Sequence, residues 1–151
     1  MANVMPFLNK VKSTIWKDAP ELAIPYIPAI LADSENLWLG YETNKEPVGN
    51  YYAVIKFIDV FDHRLSPIND EGLREHPYYT AGLQFYSFNE LTGSRECEKW
   101  KVLGARHWVI TFKDNTLDII GTSAELVANN IVAQNPVSAI QNTVLMNYEG
   151  A

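Results

Sequence analysis

The chain of 151 residues has the length of one ordinary domain, and its 47% hydrophobic and 20% charged residues rule out global disorder. Twelve Lys and Arg stand against 18 Asp and Glu, and the net charge of −6 excludes general binding to phosphate backbones. A single cysteine, Cys97, excludes an intrachain disulfide and an all-cysteine metal site, and no run of about 18 apolar residues offers a membrane-spanning helix.

The first residues lack the basic, long-apolar and small-residue regions of a secretory leader, and an unpaired cysteine suits a reducing compartment. A cytoplasmic setting is the resulting expectation. Along the chain, Asn3 and Pro6 read as the start of a helix carrying Phe7, Leu8, Val11, Ile15 and Trp16 at helical spacing, with Pro20 as its stop. Its lysines (Lys10, Lys12 and Lys17) suit either packing on an acidic body or docking to a partner.

Strands follow. Ala29–Ala32 and Leu37–Glu42 flank the polar cluster at 33–36, and Tyr51–Phe61 is aromatic, β-branched and apolar on both faces, as a central strand is. Residues 43–50 make the long loop between them. Leu83–Phe88 and Trp100–Leu103 are further strand candidates. His107–Phe112 alternates cleanly, placing Trp108, Ile110 and Phe112 on one face and His107, Val109 and Thr111 on the other. Leu117–Ile120 returns as the second arm of a hairpin, with Asp114 and Asn115 expected at positive φ in its tip. The segment 125–133 fits a strand better than a helix because it is short and β-branched. Asn135-Pro136 is a cap and first turn for a C-terminal helix burying Val137, Ile140, Val144 and Leu145. The expected fold is α+β: one curved antiparallel β-sheet of about six to eight strands, open or closed into a barrel, with an N-terminal and a C-terminal helix in a single domain.

The segment Asp62–Gly82 has little strand character, and a connection of about twenty residues is often functional. Asn69 suits a cap for a short turn, and Pro77 limits any helix beyond His76. The string His63-Arg64, Ser66-Pro-Ile-Asn-Asp-Glu71, Leu73, His76-Pro77, Gly82-Leu83 and Tyr86 resembles a group of small bacterial proteins, as does His107-Trp-Val-Ile-Thr-Phe-Lys-Asp114 with Thr116-Leu117. In that group an Asn-Asp-Glu…His-Pro loop precedes a His…Thr-Phe-x-Asp-x-Thr hairpin. The resemblance spans about Val60 to Ile120 and departs at Lys113, where histidine is expected, and at the charged link 95–101. It implies no activity, only that the loop and the hairpin matter jointly.

All three histidines, His63, His76 and His107, lie in or beside these two segments, near Asp62, Asp70, Glu71, Glu75 and Asp114. Zinc accepts such ligands, but no His-Glu-x-x-His, His-x-His or Cys-x-x-Cys spacing occurs, so no metal and no cofactor is expected. Each histidine also has a plain structural reading: a turn cap for His76, a solvent-facing ring for His63, a ring bonding a backbone carbonyl for His107. Cys97 lies between two glutamates, which disfavour a thiolate nucleophile, and no nucleophile elbow or phosphate loop is present.

Two function classes remain. The favoured one is a small cytoplasmic binding protein, for a protein or small-molecule partner and not for nucleic acid, acting through the 62–82 loop; self-association into a homo-oligomer is compatible with it. His63, Asp70, Glu71, His76, Tyr78, Tyr79 and His107 are its candidate binding residues, with the two tyrosines as anchors. The alternative is a hydrolase-type enzyme, metal-assisted or not, built on a His/Asp/Glu cluster. Histidines and carboxylates converging in a concave pocket would favour chemistry, and scattered ones binding.

Overall fold

A computed structural model describes residues 11–23 and 27–149. Its strands are β1 (Lys12–Ile15), β2 (Ala29–Ala32), β3 (Leu37–Glu42), β4 (Tyr51–Ile58), β5 (Asp62–Ser66), β6 (Phe88–Thr92), β7 (Arg106–Thr111), β8 (Thr116–Gly121) and β9 (Ser123–Val132). The helices are α1 (Arg95–Lys99) and α2 (Pro136–Glu149), with single 3₁₀ turns at Leu73–Glu75, Tyr79–Ala81 and Lys101–Leu103. The strands form two open antiparallel sheets, ordered β1-β6-β7-β8-β5 and β2-β3-β4-β9. The α+β class therefore holds, while the single curved sheet is replaced by two, and neither closes into a barrel. No helix among the described residues is long and apolar enough to cross a membrane.

Alternation along the strands explains the layering. Leu37, Leu39 and Tyr41 of β3 and Ala53, Ile55 and Phe57 of β4 meet Phe88, Trp108, Ile110, Leu117 and Ile119 of the other sheet in the main core. Trp16, Phe57 and Trp108 interlock there, with the Phe57 and Trp108 rings edge to face at 5.1 Å between centroids. On the far side of the four-stranded sheet, Trp38, Tyr52 and Val54 pack on Ala139 and Ile140 of α2. Gly40 is the notch that admits the helix: a Cβ there would meet Ile140 Cγ1 at 2.7 Å and the Pro136 carbonyl at 2.8 Å. On the far side of the five-stranded sheet the only α-helix among the described residues is the short α1, at the β7 end. The 67–87 connection covers that face, burying Leu73, Tyr78 and Leu83 on Leu91 and Val109.

Several sequence expectations change. Lys12–Ile15 is a strand paired with β6, not helix. Val11 and Trp16 accordingly enter cores on opposite faces of the sheet, which one helical stripe could not do. The part of that expectation resting on Asn3, Pro6, Phe7 and Leu8 lies outside the described residues. Asp62–Ser66 is an edge strand on β8 rather than loop, and its exposed Asp62 and Arg64 are charges of the kind that protect a sheet edge. The strand expected over Leu83–Phe88 begins only at Phe88, after a kink at Tyr86 (φ 51°). The strand expected over Trp100–Leu103 is instead a 3₁₀ turn at Lys101–Leu103, closed by Gly104 in the left-handed region (φ 78°).

The β7–β8 hairpin forms as expected, with Thr111 opposite Thr116. Its tip does not use positive φ: among the described residues the non-glycine cases are Asp59, Tyr86 and Asn130. A four-residue link instead closes by the Phe112 N–H donating to the Asn115 carbonyl (3.0 Å). The strand at 123–132 and the Asn135 cap of α2 stand, the Ser138 N–H donating to Asn135 Oδ1 at 2.8 Å. The buried stripe of α2 is Ala139, Ile140 and Thr143; Val137 and Leu145 are exposed.

Candidate functional site

The outer face of the five-stranded sheet is mixed where the inner face is apolar: polar side chains flank Leu91 and Val109. His107, Thr111, Asn89, Thr116 and Asp118 occupy the alternate positions of the strands that send Trp108, Ile110, Phe88, Leu117 and Ile119 inward. Their first task is to satisfy a crossing loop that has no ladder of its own. Asn89 Nδ2 donates to the Gln84 and Val109 carbonyls, and its Oδ1 accepts the Gln84 N–H. Thr111 and Thr116 donate to the Gln84 and Ile68 carbonyls at 2.7 and 2.8 Å. Asn69 Oδ1 accepts the Gly72 N–H (2.8 Å) ahead of the first 3₁₀ turn, whose own N-cap is Gly72 without a side-chain cap, so the cap expected of Asn69 is not made.

At one end of this face the polar groups converge. The Tyr78 N–H donates to His76 Nδ1 at 3.0 Å, so the ring hydrogen of His76 sits on Nε2 and points at Asp118 Oδ1, 2.8 Å away. His107 Nε2 donates to the other oxygen of the same carboxylate at 2.9 Å. His107 Nδ1 faces Ser94 Oγ at 3.0 Å and Glu96 Oε2 at 3.4 Å. The Tyr78 hydroxyl donates to Glu96 Oε2 at 2.7 Å and accepts the Arg95 N–H at 3.1 Å. Ser94 caps α1 by accepting the Cys97 N–H, so the short helix and the 67–87 loop share one network with β7 and β8.

This network floors a cavity of 340 Å³ whose rim carries Asp62, His63, Arg64 and Glu75. The two imidazoles are buried, at 5% and 1% exposure, whereas the side chains of Asp118 and Glu96 keep 23% and 38% of their surface open. Burial alone would raise the carboxyls, but hydrogen bonds from His107 and His76 outweigh it at Asp118 and hold it below its usual value. At Glu96, bonds from His107 and Tyr78 likewise overcome burial and bring the value down to about 2. His107 is the mirror case: burial works against its charge, and the bonds to Asp118 and Glu96 prevail and raise it. Burial, then the Glu96 contact, pushes Tyr78 up to about 12, so it remains a phenol.

Of the expected residues, His76, Tyr78 and His107 meet in this network, and His63 lies on the cavity rim, exposed. Asp70 and Glu71 lie outside it. Asp70 Oδ2 instead accepts the Tyr86 hydroxyl at 2.6 Å, a bond that lowers its carboxyl and ties the loop to itself. Tyr79 is 39% exposed and away from the lining, and Tyr78, at 6%, is a packed ring rather than a surface anchor. His107 bonds side chains, not the backbone carbonyl expected of it. Cys97 is half-buried with its thiol raised, chiefly by burial, and its Sγ lies 3.7 Å from the Leu91 carbonyl.

Sequence reasoning missed Asp118, Glu96 and Ser94. A signal for Asp118 existed: a lone charge inside Leu117-Asp-Ile-Ile120, on the hairpin face that alternation had already assigned to His107. Glu96 and Ser94 carried none, because only the return of α1 over β7 brings them in. Among the described residues no group of three or more His, Cys, Asp or Glu side chains is arranged to hold a metal ion; both Nε2 atoms are directed at Asp118. No protein-family model matches the chain, and neither a curated protein nor a solved structure matches it.

Proposed function

We propose that the protein binds a small organic cation, or a ligand presenting N–H or O–H donors, in the cavity between the 67–87 loop and the outer face of the five-stranded sheet. The observation that carries this is the Asp118 carboxylate, held from below by two imidazoles and open from above. The donors of the network are spent inward, on Asp118 and Glu96. A guest therefore meets acceptors, and it meets them charged, because both carboxyls are held below their usual range. Asp62 and Glu75 on the rim add to this sign, against Arg64. The net charge of −6 disfavours a nucleic-acid guest, and the lone cysteine fits a cytoplasmic setting.

A second reading, acid–base catalysis, draws support from the convergence of His76 and His107 on one carboxylate within a pocket. It ranks lower because both nitrogens of both rings are engaged, leaving no free lone pair for a substrate proton. A carboxylate with a lowered pKa is a persistent anion and a weak general base. Amide shift mapping by NMR with methylguanidinium, glycerol and acetate tests the binding reading. Methylguanidinium should shift the amides of Asp118, Glu96 and Arg64, glycerol less, and acetate not at all. Shifts from acetate alone, or from none of the three, would sink it.

A further inference from the structure

His107 is placed to do more than hold Asp118. Its ring is shut from solvent, yet each nitrogen reaches a carboxylate that is not: Nε2 to Asp118 Oδ2 at 2.9 Å, Nδ1 to Glu96 Oε2 at 3.4 Å. Ser94 Oγ, 3.0 Å from Nδ1, completes the arrangement. When Nδ1 carries a hydrogen, Ser94 and Glu96 accept it. When it does not, the Ser94 hydroxyl turns and donates, while its oxygen goes on accepting the Cys97 N–H. Both protonation states of His107 are thus fully hydrogen-bonded. His76 lacks this freedom, because its Nδ1 already accepts the Tyr78 N–H.

We infer that the cavity exchanges a proton for its cation: a guest seated on Asp118 drives the Nδ1 proton of His107 out past Glu96 to solvent. This rests on the cation-binding reading above. The carboxylates facing His107 are Asp118 from β8 and Glu96 from α1; the His76 ring lies across the shared carboxylate and the Tyr78 ring is edge-on at 5.6 Å. Asp62 of β5 stands opposite Ile120, the residue paired with His107, and Arg64 opposite Asp118. The two carboxylates touching the ring sustain its positive charge, in line with its raised pKa. A cation on Asp118 competes for the same negative charge and returns the ring to its neutral form. The balance is simple: one cation enters, the Nδ1–H bond breaks, and the proton leaves to water along the half-open side of Glu96, which stays an anion throughout. The neutral ring keeps its Nε2 hydrogen on Asp118.

By linkage, if the cation lowers the proton affinity of His107, raising the pH tightens cation binding by the same factor. The test is the His107 titration midpoint, followed by NMR of the ring with and without saturating methylguanidinium, against sodium chloride at equal ionic strength. The midpoint should fall by about one pH unit relative to the salt control, equivalent to tenfold tighter binding to the neutral ring. Amide shifts at Asp118 with an unmoved or raised midpoint would overturn the proton exchange and leave cation binding standing. An absence of amide shifts around the cavity would overturn the cation reading itself, and the exchange with it.

Discussion

The two faces of the five-stranded sheet are made by the same strands, yet they obey different rules. Inward, Trp108, Ile110, Leu117 and Ile119 are wholly buried in an apolar core. Outward, one residue along, the apolar Leu91 and Val109 are joined by His107, Asn89, Thr111 and Thr116, buried to the same degree but polar. Burying a polar group is unfavourable unless every hydrogen bond is returned, so the outer face is the expensive way to cover a sheet. Half of it is explained by structure: Asn89, Thr111 and Thr116 supply bonds to an irregular loop backbone. The His76–Asp118–His107–Glu96 end is not explained in that way. Only the Tyr78 and Arg95 amides and the α1 cap draw on it, while its two carboxylates open into a cavity. Stability sets the inner face, and exposure to a guest is what the polar end of the outer face adds.

Substitutions can break or sharpen that contrast. The largest loss should come from the inner face: Trp108→Ala removes the ring packed on Trp16 and Phe57 and should cost about 3–5 kcal/mol in urea unfolding. Tyr78→Ala on the outer face should come next, at about 3 kcal/mol, since it empties the loop's own core and removes one of the hydrogen bonds to Glu96. The neighbouring Tyr79→Ala should change the melting temperature little. Equal effects for the two tyrosines would mean that the loop is not anchored by Tyr78.

Asp118→Asn should cost about 1–3 kcal/mol, because an amide cannot accept from both imidazoles with the same strength and leaves His107 charged beside a neutral group. Replacing His76, His107 and Asp118 together by leucine should cost less than Asp118→Asn alone, as exchanging a buried ionic cluster for apolar side chains often does. The same triple variant should lose the methylguanidinium-induced shifts. A triple variant that fails to fold while Asp118→Asn folds well would show that the polar end is held for stability, and the contrast between the faces would collapse.

The fold was legible wherever period alone decides. The alternation of His107–Phe112 assigned both faces of β7, Ala29–Ala32 and Leu37–Glu42 read as strands, and Asn135-Pro136 marked the start of α2. It failed where partners decide. Asp62–Ser66 has the composition of a loop and is a strand only because β8 offers it a ladder. Val11–Trp16 has spacing that suits a helix as well as a strand, and pairing with β6 settles the matter. The site was half legible for the same reason. Its histidines stood out by rarity, and Asp118 was hidden by its apolar neighbours. Glu96 belongs to a charged stretch whose position depends on the chain turning back at Gly93-Ser94.

The smallest effect expected is that of pH on the outer face, and its sign is fixed by the directions of the shifts. His107 is raised above 6.5 in the folded chain, so its stabilising contribution is complete below about 6.5 and is lost as the pH rises through the folded value. Glu96, lowered from 4.5 to about 2, and Asp118, lowered from 3.8, act oppositely. Their contributions are present above those ordinary values and are lost as the pH falls through the folded ones. The network therefore stabilises most between about 4.5 and 6.5. Urea midpoints should fall from pH 5.5 to pH 8.5 by less than the loss caused by Asp118→Asn. The general rise of negative charge with pH acts in the same direction, so the discriminating measurement is His107→Gln, which keeps a polar side chain but cannot titrate. In that variant the decline should be visibly shallower than in the parent chain. Parallel pH profiles for the two proteins would show that His107 contributes nothing to stability by its charge, and that the two carboxylates facing it do not sustain an imidazolium.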